Sequence, residues 1–302
     1  SYYRILEKAK NVGATVFVHA ENGEILDFLR NECVKKGQLT PKYHYVSRPP
    51  FTEAEGVRRA AYLAGKVGTP LYIAHVTSRE AMAEIQEAKG KGINVNGESC
   101  THYLTTTKEV LDNPDFNEAA KYVCSPALRD QEDVDALWDA LNSGLLTAIS
   151  SDHCGIDVAE LKQAGRDDFT QIPNGSPGAG DRFSMIWTYG VEAGRISKQK
   201  FVELVSTNPA KINGIFPQKG TIEIGSDADI VIFDPTYRGV VRLEDNPNGV
   251  DYNVYEGRDM IGKVETVLLR GTVAVENGKF VGTYGMGKYI PAKMYGACYT
   301  GI

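Results

Sequence analysis

Short apolar runs alternate with amphipathic segments through the first half of the chain. Runs rich in apolar and β-branched residues predict buried strands at residues 15–21, 70–78, 92–100 and 145–154. Between them, apolar positions at helical spacing predict helices over residues 51–68, 78–92 and 130–144. This alternation is typical of a parallel α/β architecture, but the four strands alone do not distinguish an open sheet from a barrel.

The predicted helices carry terminal signals. Thr52 and Glu55 have the spacing of a capping box at the start of the first helix. Ser78 is suited to cap the second helix, and Gly144 is suited to end the third one.

The second half of the chain differs from the first in composition and in the elements it predicts. Residues 155–190 are rich in Gly, Pro, Asp and Asn, which predicts a long loop of the kind that is often functional. Helices are predicted over residues 197–206 and 209–215. From Gly220 onward, short β segments between turn residues predict a small antiparallel unit, followed by an extended tail at 284–302.

Three polar residues stand at the C-terminal ends of the predicted strands. These are His19, His75 and Asp152. Ligands of parallel α/β folds bind at these strand ends, so the three side chains are expected to converge. Each one alone is more simply an ordinary polar residue, but together they favour a zinc-type metal site.

The other histidines are His44, His102 and His153. His44 lies in a turn-rich stretch and is predicted to be a surface residue. His102 lies near a strand end. His153 is predicted to be structural or to support the site indirectly, because adjacent strand residues point to opposite faces.

Composition narrows the class of protein. The 302 residues fit one large domain or two ordinary ones, and the net charge of −6 argues against a nucleic-acid-binding surface. The five cysteines form no CxxC pair, which predicts free thiols in a reducing, cytoplasmic environment. Neither a membrane span nor a signal peptide is evident. Ser1 followed at once by a helical stretch indicates a chain that starts inside a larger protein, by truncation or by processing.

Several motifs together resemble the dihydropyrimidinase and hydantoinase branch of the amidohydrolase superfamily. They are VHAENGEI (18–25), IAHVTS (73–78), ESCTHYL (98–104), VCSPALR (123–129), SSDHCGI (150–156), the run NPAKINGIFPQKGTIEIGSDADIVIFDP (208–235) and RGTVAVENGKFVG (270–282). The resemblance implies an α/β fold with a (β/α)8 TIM barrel and a β-sandwich built from both chain termini. The four predicted strands would be barrel strands five to eight, with the second half of the barrel at residues 1–218, part of the sandwich at 219–283 and the tail at 284–302.

The same resemblance implies a site with two divalent metals, usually zinc. His19 and His75 correspond to metal ligands on the fifth and sixth strands. Asp152 corresponds to the metal-site aspartate of the eighth strand, which is also the catalytic acid and base. Ser125 and Asn174 correspond to the residues that bind the substrate amides.

The sequence departs from the family pattern in one respect. It contains no His-x-His pair, and no segment matches the one that carries the bridging carboxylated lysine. The resemblance therefore implies the C-terminal two-thirds of such an enzyme, and a chain that is inactive alone.

The implied activity is hydrolysis of dihydropyrimidines or 5-monosubstituted hydantoins to N-carbamoyl amino acids, typically by a homotetramer. The alternatives are an allantoinase, a dihydroorotase or a non-enzymatic protein resembling the collapsin-response mediators. Retention of His19, His75 and Asp152 counts against the mediator.

Overall fold

The computed structural model describes residues 1–295 and divides into two compact units. The first unit comprises residues 1–182 and 241–257, and the second comprises 183–240 and the residues from 258 onward. The predicted boundary after residue 218 falls inside the second unit. The reason is that the helical residues after 182 pack on the antiparallel sheet, with the Trp187 and Phe233 ring centroids 4.9 Å apart. The assignment of residues 1–218, 219–283 and 284–302 to family domains stays a prediction.

The first unit combines helices with a parallel sheet. Its helices are α1 (Tyr2–Val12), α2 (Gly23–Lys35), α3 (Lys42–Val46), α4 (Pro50–Val67), α5 (Arg79–Gly90), α6 (Thr101–Thr105), α7 (Phe116–Ala120) and α8 (Gln131–Ser143). Its strands are β1 (Val16–Val18), β2 (Leu71–Ile73), β3 (Val95–Cys100) and β4 (Ala148–Ser150). Short 3-10 helices lie at Lys108–Asp112, Lys162–Gly165, Phe169–Gln171 and Leu243–Asp245.

The four strands pair in the order β1-β2-β3-β4, all parallel. The predicted strands and their parallel arrangement are confirmed, although each observed strand is shorter than its apolar run. All three residues of β2 are buried, as expected for a central strand covered on both faces.

Two of the three predicted helix signals are confirmed. The Ser78 hydroxyl accepts from the Ala81 amide at 3.2 Å, and Gly144 ends α8 in the left-handed conformation with φ 84°. The capping box at Thr52 is wrong. α4 already begins at Pro50, because proline suits the first position of a helix, and the Thr52 hydroxyl donates to the Pro49 carbonyl.

The second unit contains a helical segment and an antiparallel sheet. Its helical elements are α9 (Arg182–Ile186), whose first residue ends the first unit, a π-helix (Trp187–Glu192), α10 (Lys198–Val202), a second π-helix (Glu203–Thr207) and α11 (Asn208–Ile212). Its strands are β5 (Ile230–Val240), β6 (Asp259–Leu269), β7 (Thr272–Glu276) and β8 (Lys279–Phe280), paired in that order.

The predicted antiparallel unit is therefore confirmed. The predicted loop at 155–190 is too long, because a helix begins at Arg182. The tail has neither helix nor strand at 284–295, and its remaining residues lie outside the described part of the chain. Within residues 1–295, no helix is both long and apolar enough to cross a bilayer.

Gly56 allows α4 to contact the backbone just after β1. A Cβ atom at this position would lie 2.7 Å from the carbonyl carbon and oxygen of Ala20 and 2.9 Å from the Glu21 nitrogen. Backbone atoms cannot rotate away as a flexible side chain can. The helix therefore fixes the strand end that carries His19.

We expect Gly56→Ala to destabilise the protein by roughly 1–3 kcal/mol, because the added methyl overpacks a backbone contact. Gly90→Ala is the matched control, since no atom lies within 4 Å of its added Cβ, and its free energy of unfolding should change by less than about 1 kcal/mol. Urea denaturation measures both variants. Equal effects at the two positions would contradict the contact.

Lys162 is a fully buried ammonium that joins two segments of the first unit. Its Nζ donates to the carbonyls of Ala120 at 2.8 Å, Val123 at 3.3 Å and Gly175 at 2.8 Å. Burial lowers the pKa of Lys162 to about 8. The side chain therefore ties the segment before Ser125 to the segment after Asn174.

The lowered pKa of Lys162 predicts stability that rises with pH. Above pH 8 the native state loses a proton that the unfolded chain, with its ordinary lysine pKa of 10.5, still binds. Between about pH 7.5 and about pH 9.5, the wild type should gain about 2 kcal/mol relative to Lys162→Met. Urea denaturation at both pH values measures this difference.

The exposed residue Lys36 provides the control, because Lys36→Met should leave the pH dependence unchanged. An identical pH dependence in the wild type and in Lys162→Met would show that Lys162 titrates normally.

Candidate functional site

All five predicted site residues line one pocket of about 250 Å³. Its lining residues are His19, His75, Ser125, Asp152, Cys154, Asn174 and Gly175. The pocket lies where the parallel strands end, which is the edge at which ligands bind in such folds. The structure thus brings together residues that are up to 155 positions apart in the sequence.

Three of these side chains are placed by the ends of strands. His19 directly follows β1, and His75 and Asp152 each lie two residues beyond β2 and β4. His75 and Asp152 have positive φ angles of 37° and 44°, a conformation that is uncommon for residues other than glycine. Strained backbone of this kind concentrates at functional sites.

The His19 and His75 rings contact each other directly. His19 Nδ1 lies 3.0 Å from His75 Nε2, and the rings meet edge to face. The His19 side chain is 46% exposed, whereas His75 is buried. Burial lowers the pKa of His75, and the neighbouring His19 lowers it further, so His75 is neutral at neutral pH.

A buried carboxylate contacts the other side of His19. Glu21 Oε2 lies 3.0 Å from His19 Nε2 and 2.9 Å from Arg48 Nη1. Burial acts to raise the pKa of Glu21, but the hydrogen bond from His19 and the charge of Arg48 outweigh it and lower the pKa to about 2. Glu21 is therefore ionised across the physiological range.

The pocket also contains the predicted substrate-binding pair. The Ser125 hydroxyl donates to Asn174 Oδ1 at 3.1 Å. The backbone carbonyls of Val123, two residues before Ser125, and of Gly175, directly after Asn174, both accept hydrogen bonds from Lys162. The pair therefore offers a hydroxyl and a side-chain amide, which are groups that can form hydrogen bonds with the N–H and C=O of a substrate amide.

The donor set of the pocket fits a divalent metal in kind, since imidazole and carboxylate are common zinc ligands. Two imidazole nitrogens already face each other, and the buried His75 Nδ1 has no hydrogen-bond partner among the described residues. However, residues 1–295 contain no group of three His, Cys, Asp or Glu side chains able to hold an ion. The described residues therefore offer two facing imidazole nitrogens but not a complete set of metal ligands.

The remaining histidines lie outside the pocket. The prediction that His44 is a surface residue is wrong: it is buried, its Nε2 donates to the Cys124 carbonyl at 2.7 Å, and burial lowers its pKa to about 3. His102 is also buried, and its ring packs on that of Tyr103. His153 Nδ1 accepts from the Gly178 amide, which leaves its indirect role a prediction.

Sequence reasoning missed Glu21, Arg48 and Cys154. Glu21 follows His19 by two positions, and residues at that spacing in extended chain lie on the same face, which was an available signal. Cys154 follows Asp152 at the same spacing. Arg48 lies in a segment without any apolar period, so its burial beside Glu21 could not be read from the pattern.

Known proteins resemble the chain in both sequence and structure. The D-hydantoinase of Ralstonia pickettii is 48% identical over 292 residues, which cover 97% of this chain and 64% of that protein. The dihydropyrimidinase of Arabidopsis thaliana is 39% identical over 297 residues, covering 98% of this chain and 56% of that protein. A crystal structure of dihydropyrimidinase from Brevibacillus agri NCHU1002 matches with a TM-score of 0.95 at 45% identity, covering 97% of this chain and 63% of that one.

The chain thus spans less than two thirds of the length of these relatives. The resemblance to the dihydropyrimidinase and hydantoinase branch that its motifs predicted is confirmed. The sequence pattern of the amidohydrolase family matches residues 2–274, and the chain belongs to that family.

Proposed function

We propose that the chain forms part of the active site of a metal-dependent hydrolase that opens dihydropyrimidines or 5-monosubstituted hydantoins to N-carbamoyl amino acids. The observation that carries the proposal is the shared pocket of His19, His75, Asp152, Ser125 and Asn174. The names of the relatives, D-hydantoinase and dihydropyrimidinase, support the same class of substrate.

The proposal includes the finer architecture. The parallel sheet β1–β4 forms strands five to eight of a (β/α)8 barrel, and the antiparallel sheet β5–β8 belongs to a β-sandwich. The consecutive, all-parallel order of β1 to β4 supports the first assignment. The intact enzyme is a cytoplasmic homotetramer, and the free thiols of Cys33, Cys100, Cys124 and Cys154 are compatible with a reducing compartment.

Asp152 has the central chemical role in this mechanism. Its carboxylate accepts the proton of the water that attacks the ring carbonyl, and then returns a proton to the leaving amide nitrogen. Ser125 and Asn174 bind the amide groups of the substrate and orient the ring.

The metal-site residues of this chain are His19, His75 and Asp152, with Nδ1 of His19 and Nε2 of His75 as the facing nitrogens. A divalent ion held by these residues would lower the pKa of a bound water and would polarise the substrate carbonyl. The remaining ligands are absent from this sequence, which has neither a His-x-His pair nor a match to the lysine segment.

We expect the 302-residue chain alone to bind zinc weakly and to show no hydrolysis of dihydrouracil, hydantoin or allantoin with added zinc. The physical reason is the incomplete ligand set. Ring opening is monitored as a loss of ultraviolet absorbance. Robust turnover by the chain alone would contradict the proposal that it carries only part of the site.

A chimera provides the complementary test. The N-terminal residues of the Ralstonia pickettii D-hydantoinase are joined to this chain at the point where the two sequences begin to match. We expect this chimera to hydrolyse dihydrouracil or hydantoin with zinc, and Asp152→Asn to lower kcat about 100-fold or more through loss of the proton acceptor.

Asp139→Asn, on the exposed face of α8, is the matched control and should retain full activity. A folded chimera that contains zinc but opens neither dihydrouracil nor hydantoin would contradict the proposed function. Full activity of Asp152→Asn would contradict the role of Asp152 alone.

A further inference from the structure

His19 contacts two buried groups through its two ring nitrogens. Nδ1 faces His75, and Nε2 faces Glu21. A neutral imidazole carries one N–H, so the partner of one nitrogen determines which nitrogen is left with a free lone pair. The identity of the partner at Nε2 therefore bears on what Nδ1 can bind.

Glu21 accepts hydrogen bonds and cannot donate them when ionised. Its side chain is 2% exposed, and its Oε2 accepts a hydrogen bond from Arg48 Nη1 at 2.9 Å and lies 3.0 Å from His19 Nε2. We propose that Glu21 is a positioning residue, whose carboxylate holds the proton of His19 on Nε2 and so leaves the Nδ1 lone pair directed at His75. Carboxylate partners fix the tautomer of imidazole ligands in this way.

Glu21 can act as a fixed partner because Arg48 is itself held. The Arg48 side chain is 10% exposed. The backbone carbonyl of Arg48 accepts a hydrogen bond from Arg129 Nη1. Arg129 also donates to Thr77 Oγ1 at 2.9 Å and Glu53 Oε2 at 3.3 Å. The carboxylate therefore belongs to a buried network that does not depend on His19.

The same network reaches the second histidine. Thr77 lies two residues after His75, and its amide and hydroxyl donate to Glu53 at 2.8 and 2.6 Å. The segments that carry the two rings are thus tied to one set of buried charges. This arrangement positions both rings, while Glu21 is the charged partner at Nε2 of His19.

A simpler reading is that Glu21 only neutralises Arg48. In that case the tautomer of His19 would not depend on the carboxylate. The consequence for metal binding rests on the proposed function: Nδ1 can ligate an ion only through its lone pair. The tautomer itself can be measured whether or not metal binds.

The test is nuclear magnetic resonance of the ¹⁵N-labelled 302-residue chain, at an alkaline pH where imidazoles are neutral. Long-range ¹H–¹⁵N correlations distinguish protonated from unprotonated ring nitrogens. In the wild type we expect His19 to have a protonated Nε2 and an unprotonated Nδ1. A protonated Nδ1 in the wild type would overturn the proposal by itself.

The informative variant is the double substitution Glu21→Leu with Arg48→Met, which removes both charges so that neither is left buried and unpaired. We expect the single His19 tautomer to be lost, while the signals of His102, whose pKa shift comes from burial and from His75, stay unchanged. Glu24→Leu, on the exposed first turn of α2, is the matched control and should retain the wild-type pattern.

A His19 tautomer that persists in the double variant would overturn the positioning role. That result would leave the hydrolysis assay of the chimera unaffected. Conversely, an inactive chimera would overturn the proposed function without changing the tautomer of His19, so the two failures are distinguishable.

Discussion

The buried guanidinium of Arg129 is the constraint on which the site depends. The residue is 5% exposed, and an unpaired charge at such a depth costs several kcal/mol. Its hydrogen-bond acceptors come from the segment before α4, from α4 itself and from the residues after β2. These segments can bury Arg129 only when they come together, and this fixes the chain just after His75 and the Arg48 segment beside Glu21.

That rigidity is compatible with the strained backbone of the pocket. His75 and Asp152 have positive φ angles, which cost about 1–3 kcal/mol at each position. Surrounding structure must determine such conformations, and around His75 it does so through Thr77, Ser78 and Glu53. These contacts hold His75 with its Nε2 facing Nδ1 of His19.

The sequence predicted the features that depend on local pattern. Apolar runs located β1 to β4, Ser78 and Gly144 located helix ends, and the strand ends indicated His19, His75 and Asp152. The motifs around them identified the branch of the family. In each case the signal lies within a few residues of the feature, where periodicity and terminal preferences act directly.

Features that depend on tertiary contacts were not predicted. His44 was expected at the surface, but the Cys124 carbonyl 80 positions away gives its ring a buried partner. Thr52 has the spacing of a cap, but Pro50 starts the helix earlier. Arg48 and Glu21 are 27 positions apart, and their pairing becomes visible only when α4 lies against the end of β1.

The central claim is that His19 and His75 are a pair of metal ligands. Anomalous diffraction at the zinc edge, from crystals of the active chimera grown with zinc, tests it most directly. The account predicts a zinc peak about 2.0–2.1 Å from both His19 Nδ1 and His75 Nε2. A zinc-loaded, active chimera without a peak at that position would contradict it.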